Sequence, residues 1–167
     1  MAANAAGREW QVATIQLDLN IPERFDLTCI NESGQKERIV MIHAAVAGSL
    51  ERCAAILIEH YDGAFPTWLS PVQAVVIPIG EAHAAFAQDT LDRLKEAGIR
   101  AEADFSGESL GKKIRGAKTQ KVPYLLIIGD QEVASATVTL EGREGKLGAM
   151  PITDIVKKLS DEIKSRS

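Results

Sequence analysis

The middle of the chain constrains the fold most, because apolar strands and amphipathic helices alternate there. Residues 74–79 (AVVIPI) form a continuous apolar run, which is typical of a strand buried on both faces. A helical stripe of apolar residues follows from Ala84 to Leu94, and Gly98 stands where a helix commonly ends. Residues 99–105 alternate apolar and polar side chains, which is the period of a half-buried strand. Strands that alternate with helices predict β-α-β units.

The second half of the chain continues this order. A polar, basic helix is predicted over residues 109–120 and an apolar strand over residues 124–129. A shorter strand at residues 136–140 precedes a final helix at residues 153–164. Two adjacent strands before the last helix indicate an antiparallel edge. We therefore predict an α/β fold with a mixed, largely parallel sheet flanked by helices.

The first third of the chain has a different rhythm. Strand-like runs occupy residues 12–19, 25–30 and 39–43, and an apolar stripe from Leu50 to Tyr61 has helical spacing. A polar stretch that opens with residues 31–34 (NESG) separates the second and third runs, which predicts a β-hairpin. Antiparallel strands and one helix are therefore expected ahead of the α/β part.

A domain boundary is expected after that helix. Asp62 and Gly63 end the helix, and Pro66 lies just beyond it. Residues 64–70 then form a short connection before the rhythm changes. The predicted domains are residues 1–63 and residues 71–167, joined by residues 64–70.

Composition restricts the class of protein and its partners. The formal net charge is −4, so binding of a nucleic acid requires a local basic patch. No apolar run approaches the ~20 residues of a membrane helix, and no signal peptide opens the chain. We expect a cytoplasmic protein with no membrane partner and no DNA partner. Cys29 and Cys53 form no CxxC and are expected to be reduced thiols.

The only basic patch in the pattern lies on the helix predicted at residues 109–120. It consists of Lys112, Lys113, Arg115, Lys118 and Lys121, with no acid among them. A solvated helix face and a phosphate-binding face are equally good interpretations of this run. The nearest aromatic residues, Phe105 and Tyr124, lie in strand patterns and are predicted to be core residues rather than platforms for base stacking.

Two further residues could carry chemistry. His43 ends a predicted strand with no second metal ligand in view, so a structural histidine is the favoured interpretation from the residues alone. Arg52 lies on an otherwise apolar helical face, and a surface salt bridge is the ordinary explanation for it. The chain has no GxGxxG, P-loop, HExxH or GxSxG sequence.

Many short segments, in order along the chain, resemble the threonyl-tRNA synthetase family of class II aminoacyl-tRNA synthetases. The segments that resemble the end of the catalytic domain, including its third motif, are residues 7–11, 14–18, 22–25, 40–43 and 48–52. Those that resemble the junction and the anticodon-binding domain are residues 58–61, 65–69, 71–73, 97–100, 110–115, 122–124 and 129–133. The resemblance covers essentially the whole chain.

The resemblance implies a specific activity for the complete enzyme, the ATP-dependent attachment of threonine to its tRNA with Mg as the ion. It implies that His43 is one of three zinc ligands and that Arg52 is a catalytic residue against the ATP. The positions that match the ATP and adenylate pocket are Gln11, Thr14, Gln16, Ser49 and Arg52. Glu132 matches a contact to an anticodon base, and a homodimer is implied for the complete enzyme.

This sequence also departs from the family pattern. It has no counterpart of the first two class II motifs or of the other two zinc ligands, so the isolated chain is predicted to be inactive. Met1 is expected to be an internal methionine of a longer enzyme. The family residues expected at three positions are replaced here by Ala44, Gly107 and Glu141.

Two hypotheses of different classes follow from the resemblance. The first is a tRNA-docking part of a threonine–tRNA ligase, in which Lys112, Lys113, Arg115 and Lys118 meet the phosphates of threonine tRNA and Glu132 meets a base. The second is a free-standing paralogue that binds protein and no longer reads the anticodon. Unpaired strand edges in the first third also predict self-association or a loosely ordered N-terminal third.

Overall fold

The computed structural model describes residues 2–3 and 7–166, so Met1, residues 4–6 and Ser167 lie outside the described residues. The expectation about Met1 therefore concerns a residue that is not described. The chain divides into two compact units, Met1–Asp62 and Gly63–Ser167. We call them the first unit and the second unit.

The first unit consists of short paired strands and two helices. Its elements are β1 (Ala2–Ala3), β2 (Glu9–Trp10), β3 (Thr14–Asp18), α1 (Asn20–Arg24), β4 (Thr28–Ile30), β5 (Lys36–Arg38), β6 (Met41–Ala45) and α2 (Leu50–His60). The strands form three two-stranded antiparallel sheets, which pair β1 with β2, β3 with β6 and β4 with β5. The antiparallel strands and the helix expected from the sequence are present.

A hairpin forms after β4, but the predicted pairing of residues 25–30 with residues 39–43 is wrong. Asn31 makes the turn, because its side-chain oxygen accepts hydrogen bonds from the N–H groups of Ser33 and Gln35. Strand β5 follows the turn directly and pairs with β4. The third predicted run begins later, as β6, and pairs with β3 instead. Its apolar residues therefore belong to another sheet than the hairpin.

Helix α1 was not predicted. Asp18 accepts hydrogen bonds from the N–H groups of Asn20 and Ile21, which caps the start of the helix. Pro22 lies in the first turn, where its missing N–H costs nothing. Strand β4 consequently begins at Thr28 rather than at Phe25. Pro22 is also the one fully buried residue in the described part of the first unit.

The second unit contains the predicted α/β fold. Its elements are β7 (Ala74–Pro78), a 3-10 turn (Glu81–His83), α3 (Ala84–Glu96), β8 (Ala101–Ala103), α4 (Leu110–Thr119), β9 (Tyr124–Ile128), α5 (Asp130–Ser135), β10 (Val138–Gly142), β11 (Gly145–Met150) and α6 (Ile152–Ser165). The five strands are ordered β11-β10-β9-β7-β8. Strand β7 is parallel to β8 and β9, whereas β10 is antiparallel to both of its neighbours. The mixed sheet with an antiparallel edge is confirmed.

Both faces of this sheet are covered. Alternate residues of a strand point to opposite faces, so Val76 and Leu126 pack against α3 and α6, whereas Val75 and Leu125 pack against α4. The glycine predicted to end α3 is Gly98, whose φ of +77° few other residues adopt. The apolar runs thus fold as strands buried on two sides.

Two elements of the second unit were missed, α5 and β11. Helix α5 has only six residues, too few for a visible period. Strand β11 (GKLGAM) has no β-branched residue, and its glycines Gly145 and Gly148 have φ values of +133° and +104°. Propensity therefore argues against this strand, and pairing with β10 decides its conformation.

Residues 64–70, predicted as a connection, belong to the second unit and are hydrogen-bonded to the rest of it. The Arg100 guanidinium donates to the carbonyl oxygens of Trp68 and Ser70, and the Gln73 side-chain amide donates to that of Thr67. Arg143 donates to the carbonyl oxygen of Ala64. These bonds hold the connection in a defined conformation.

Among residues 2–3 and 7–166, no helix has the length and apolar character of a membrane span.

Candidate nucleic-acid interface

The carboxyl ends of the three parallel strands lie along one edge of the second unit's sheet. Residues 79–83 follow β7, residues 104–109 follow β8 and residues 129–132 follow β9. In open α/β sheets, ligands bind in the crevice outside the carboxyl ends of the strands. We call these three segments the carboxyl-edge loops.

Glu132 is held in place within these loops. Its Oε2 accepts a hydrogen bond from the Gly129 N–H at 2.9 Å, and its Oε1 accepts one from the Thr139 hydroxyl at 2.7 Å. The Thr139 bond is the main reason that the pKa of Glu132 lies below its ordinary value. The side chain is therefore an ionised carboxylate at neutral pH. A carboxylate has about four lone-pair sites, so acceptor capacity remains for a base N–H.

His83 connects two of the carboxyl-edge loops. The Gly80 N–H donates to its Nδ1 at 3.1 Å, and its Nε2 lies 3.0 Å from Oδ1 of Asp130. Because Nδ1 accepts a hydrogen bond, Nε2 carries a proton and donates a hydrogen bond to Oδ1 of Asp130. No local pattern indicates this pair, because His83 follows β7 and Asp130 follows β9.

The predicted basic patch is divided by the fold. Lys112 forms an exposed ion pair with Glu108 at 2.6 Å, and Lys118 pairs with Glu141 at the same distance. Arg115 is exposed and has no ion-pair partner in the part of the chain that the structure describes. Lys121 follows α4 with a φ of +56°. Exposed ion pairs are weak, so Lys112 stays available to a phosphate despite its pair with Glu108. Arg115 is available because no ion pair occupies it among the described residues.

Lys113 departs from the prediction of an exposed phosphate contact. It is only 6% exposed, and its ammonium donates to the carbonyl oxygens of Pro78 at 3.1 Å and Asp104 at 3.0 Å. The charge run gave no sign of this, because a cationic residue on an inward position looks the same in sequence as one on the surface. Lys113 binds the ends of β7 and β8 together.

Glu141 and Gly107, two positions that depart from the family pattern, have different environments. The Glu141 side chain is 8% exposed and its charge is balanced by Lys118. Gly107 lies in the loop after β8, and a Cβ added to it would meet nothing within 4 Å. The first residue is thus part of the packed unit, and the second leaves open space.

Phe105 is not the core residue that was predicted. Strand β8 ends at Ala103, and Phe105 lies beyond it with 46% of its surface exposed. Tyr124, by contrast, packs against the core, as predicted, and donates a hydrogen bond to Glu162 at 2.6 Å. Burial, followed by that bond, raises the pKa of Tyr124.

Two cavities open beside the carboxyl-edge loops. One of about 490 Å³ lies against Ile79, Gly80, Phe105, Gly107 and Lys113. We call it the β7–β8 cavity. The other, of about 620 Å³, runs between β8 and α4, and its lining includes Glu102, Asp104 and Lys112. Acidic side chains line both cavities, Glu81 and Glu108 the first and Glu102, Asp104 and Glu108 the second, so the lining charge does not distinguish them. The first is the better candidate for an unpaired base, because Ile79 lines it together with Phe105.

The first unit brings the residues predicted for the adenylate pocket and the metal into two groups. In the first group, Gln16 lies directly opposite His43 in the β3–β6 pair, and Thr14 lies opposite Ala45. The His43 Nε2 is 2.9 Å from Oδ2 of Asp18. The Ile21 N–H and, secondly, His43 lower the pKa of Asp18.

In the second group, Arg52 lies next to Gln11 and Ser49. Its guanidinium donates to the Gln11 carbonyl oxygen at 3.3 Å and stands 5.5 Å from the centre of the Trp10 ring. Its backbone N–H donates to the Ser49 hydroxyl, which caps α2. No carboxylate pairs with Arg52 among residues 2–3 and 7–166, so the salt bridge favoured from the residues alone is not seen. Trp10 is a neighbour that the sequence did not indicate.

A zinc ion does not fit the residues present. In the described ranges no three His, Cys, Asp or Glu side chains are close enough to hold a metal ion. Asp18 is the group beside His43, and two ligands do not complete a tetrahedral site.

Comparison with known families gives two matches, one over the first third of the chain and one over most of the rest. Residues 1–61 match the family described as the tRNA synthetase class II core domain (G, H, P, S and T). Residues 73–162 match the family described as the anticodon binding domain. Glu132, His83 and Phe105 all lie within the second match.

Individual relatives agree with the family matches. The chain is 50% identical to the threonine–tRNA ligase of Magnetococcus marinus over 98% of the chain and 26% of the relative. It is 49% identical to that of Thermus thermophilus over 98% of the chain and 25% of the relative. The chain thus spans about a quarter of the length of the curated relatives it matches.

A solved structure is also similar. It is the crystal structure of the RNA binding domain of threonyl-tRNA synthetase from Cryptosporidium parvum Iowa II, with 34% identity and a TM-score of 0.82. The match covers 96% of this chain and 41% of that chain. The resemblance to threonyl-tRNA synthetases that the sequence predicted is confirmed.

Proposed function

The chain belongs to the anticodon-binding domain family, and we propose that it is the tRNA-docking part of a threonine–tRNA ligase. The observation that carries the proposal is the coincidence of the family match at residues 73–162 with a self-contained unit whose carboxyl-edge loops present an ionised Glu132 beside an open cavity. Such an edge offers an acceptor for a base N–H and space for an unpaired nucleotide.

We propose that α4 supplies the contacts to phosphate. Lys112 and Arg115 are exposed on this helix, and Lys118 reaches the same surface while paired with Glu141. Phosphate contacts fix the register of an RNA without reading its bases, so these residues would position the anticodon stem-loop of threonine tRNA. Lys113 would act from inside the unit rather than on a backbone phosphate.

The residues of the first unit would serve the complete enzyme. There Arg52 would stabilise charge on the phosphates of ATP, with Mg as the ion, and Gln11, Thr14, Gln16 and Ser49 would line the adenylate pocket. His43 would be one of the zinc ligands of the complete enzyme. No step of the function proposed for this chain alone involves zinc or the formation of an adenylate, and the chain alone is expected not to aminoacylate tRNA. A homodimer and a cytoplasmic location are proposed for the complete enzyme only.

One alternative has support of its own. Gly107 offers no hydrogen-bonding side chain, Glu141 puts a negative charge on β10, and the chain has a net charge of −4. A free-standing paralogue that binds protein, and no longer reads the anticodon, would show the same features. The alternative predicts no preference between RNAs.

The test is binding of the whole chain to the anticodon stem-loop of threonine tRNA and to a loop with the anticodon scrambled, at two salt concentrations. Preference for the cognate loop, with affinity that falls as salt rises, is expected. Glu132→Gln should reduce the preference, and Glu96→Gln, an exposed change on α3, should leave it unchanged. A folded chain that binds neither loop at low salt would refute the proposal in favour of the protein-binding paralogue.

A further inference from the structure

We propose that the β7–β8 cavity binds one unstacked nucleobase of single-stranded RNA, with Phe105 as its stacking platform. The inference rests on the proposed function and specifies a subsite within it. Gly107 lines the same cavity but has no side chain to bind RNA, and the inference assigns binding affinity for RNA to Phe105 instead.

Phe105 is exposed because of where β8 ends. The last backbone bond of this strand to β7 is donated by the Asp104 N–H to the Val76 carbonyl oxygen, so Phe105 stands just beyond the sheet. Ile79 occupies the matching place after β7, and each of the two side chains is 46% exposed. Both line the same cavity of about 490 Å³, within the range of small-molecule sites. An aromatic face beside an aliphatic side chain suits a flat, largely apolar ring.

Lys113 adds a charged hydrogen-bond donor to the lining of the cavity. Its ammonium is nearly buried and lines the cavity, and two of its three N–H groups donate to the carbonyl oxygens of Pro78 and Asp104. Glu81 and Glu108 also line the cavity, but no carboxylate among the described residues forms an ion pair with Lys113, and Glu108 pairs with Lys112 instead. A buried ammonium with a remaining donor favours an occupant that carries acceptor oxygens. A nucleobase carbonyl provides such an oxygen together with a flat ring.

The cavity adjoins the residue proposed to read a base. A Cβ placed on Gly129 would lie 2.6 Å from Cδ1 of Ile79 and 3.3 Å from Oε2 of Glu132. Ile79 and Glu132 therefore approach the same glycine, Ile79 from the cavity and Glu132 from α5. A nucleotide stacked on Phe105 and its neighbour at Glu132 could belong to one short single strand.

The two contacts should differ in what they recognise. Stacking is tolerant of sequence because every base has an aromatic face, whereas a carboxylate discriminates between base edges. In the loop after β8, Gly107 adds no hydrogen-bonding side chain. We therefore expect Phe105 to contribute affinity without base preference, and Glu132 to contribute preference.

The first test measures the affinity of the whole chain for the cognate and scrambled stem-loops with Phe105 replaced. Phe105→Ala should weaken binding of both loops by the same factor, about 5- to 100-fold, with the salt dependence unchanged. Phe105→Tyr should bind both loops like the wild type. Leu147→Ala is the matched control, because Leu147 is 47% exposed on β11, at the opposite edge of the sheet. Melting curves check that each variant is folded.

The second test reports stacking directly, with a short single-stranded oligoribonucleotide that contains 2-aminopurine. The wild-type chain should quench its fluorescence, and Phe105→Ala should not. Unchanged binding by Phe105→Ala, or a loss restricted to the cognate loop, would overturn the inference while leaving the proposed function intact. A wild-type chain that binds neither stem-loop refutes the proposed function, and the absence of quenching then overturns this inference as well and favours a protein partner for the cavity.

Discussion

The second unit buries an apolar core on both faces of its sheet, whereas the first unit leaves most of its large apolar side chains exposed to water. Apart from Pro22, every fully buried apolar side chain in the described residues belongs to the second unit. The large exposed side chains of the first unit are Ile15, Leu17, Leu19, Ile21, Phe25, Ile30, Val40, Ile42, Val46, Leu50 and Ile58. Helix α2 has no buried residue at all. The second unit therefore has the covered core of a complete fold, whereas the first unit depends on a covering partner.

The β3–β6 pair shows what kind of cover is missing. Leu17 lies opposite Ile42, and Ile15 lies opposite Ala44, so these side chains share one face. Leu17 and Ile42 are 72% and 63% exposed. The opposite face carries Gln16 and His43, two of the residues proposed for the active site of the complete enzyme. One face thus carries the polar residues proposed for the active site, and the other is an exposed apolar surface of the kind that normally lies in an interior.

Core substitutions should show the largest contrast between the units. Leu126→Ala removes a fully buried side chain from β9 and should lower the free energy of unfolding of the second unit by about 2–5 kcal/mol. Leu17→Ala, at an exposed position in β3, should change stability by no more than about 0.5 kcal/mol. Urea denaturation followed by near-UV circular dichroism measures both. An equal loss of unfolding free energy in the two variants would show that the two units do not differ in burial of their apolar side chains.

Self-association should be the next largest effect, because the apolar face of the β3–β6 pair is available to a second copy. The chain is expected to associate with rising concentration in sedimentation velocity. Charges at Leu17→Lys and Ile42→Lys together should weaken association by about tenfold or more, since a charge is costly to bury unpaired.

Leu147→Lys, which adds the same charge to an exposed apolar site in the second unit, is the control for association and should leave it unchanged. A monomeric wild-type chain with slow hydrogen exchange throughout the first unit would show that this unit needs no cover.

The smallest expected effect is an acid response of the carboxyl-edge loops. Hydrogen bonds from Thr139 and Gly129 hold the pKa of Glu132 below its ordinary value of 4.5. A carboxyl group whose pKa is lower in the folded than in the unfolded state stabilises the folded state. This stabilisation is complete at pH values above the pKa of the unfolded state, and it is lost as the pH falls through the pKa of the folded state. Wild type should therefore exceed Glu132→Gln in melting temperature at pH 7, and the difference should shrink below about pH 4.5. A difference that grows with acid would show that Glu132 is not held as described.

The sequence predicted the parts of the fold that hydrophobic periodicity determines. The strands β7 and β9, the helices α3, α4 and α6 and the glycine after α3 follow from local pattern, because each buries a regular apolar face. Helix α5 and strand β11 do not, since one is short and the other depends on its partner strand.

The site was less predictable for a related reason. The burial of Lys113, the exposure of Phe105 and the bond between His83 and Asp130 all depend on where strands end and which ends meet. A charge run or an alternating pattern contains no such information. Family resemblance identified Glu132, whereas the residues beside it required the structure.

Hydrogen exchange of the whole chain, with and without saturating anticodon stem-loop, measures both the cover of each sheet and the place where the RNA binds. The free chain should exchange rapidly in β3 and β6 and slowly in β7 and β9, because only the second unit has a covered sheet. The RNA should slow exchange in the three carboxyl-edge loops, at residues 79–83, 104–109 and 129–132, and leave β3 and β6 unchanged. Protection confined to the first unit, or no protection in these loops when the RNA is bound, would refute docking of the RNA at the carboxyl-edge loops.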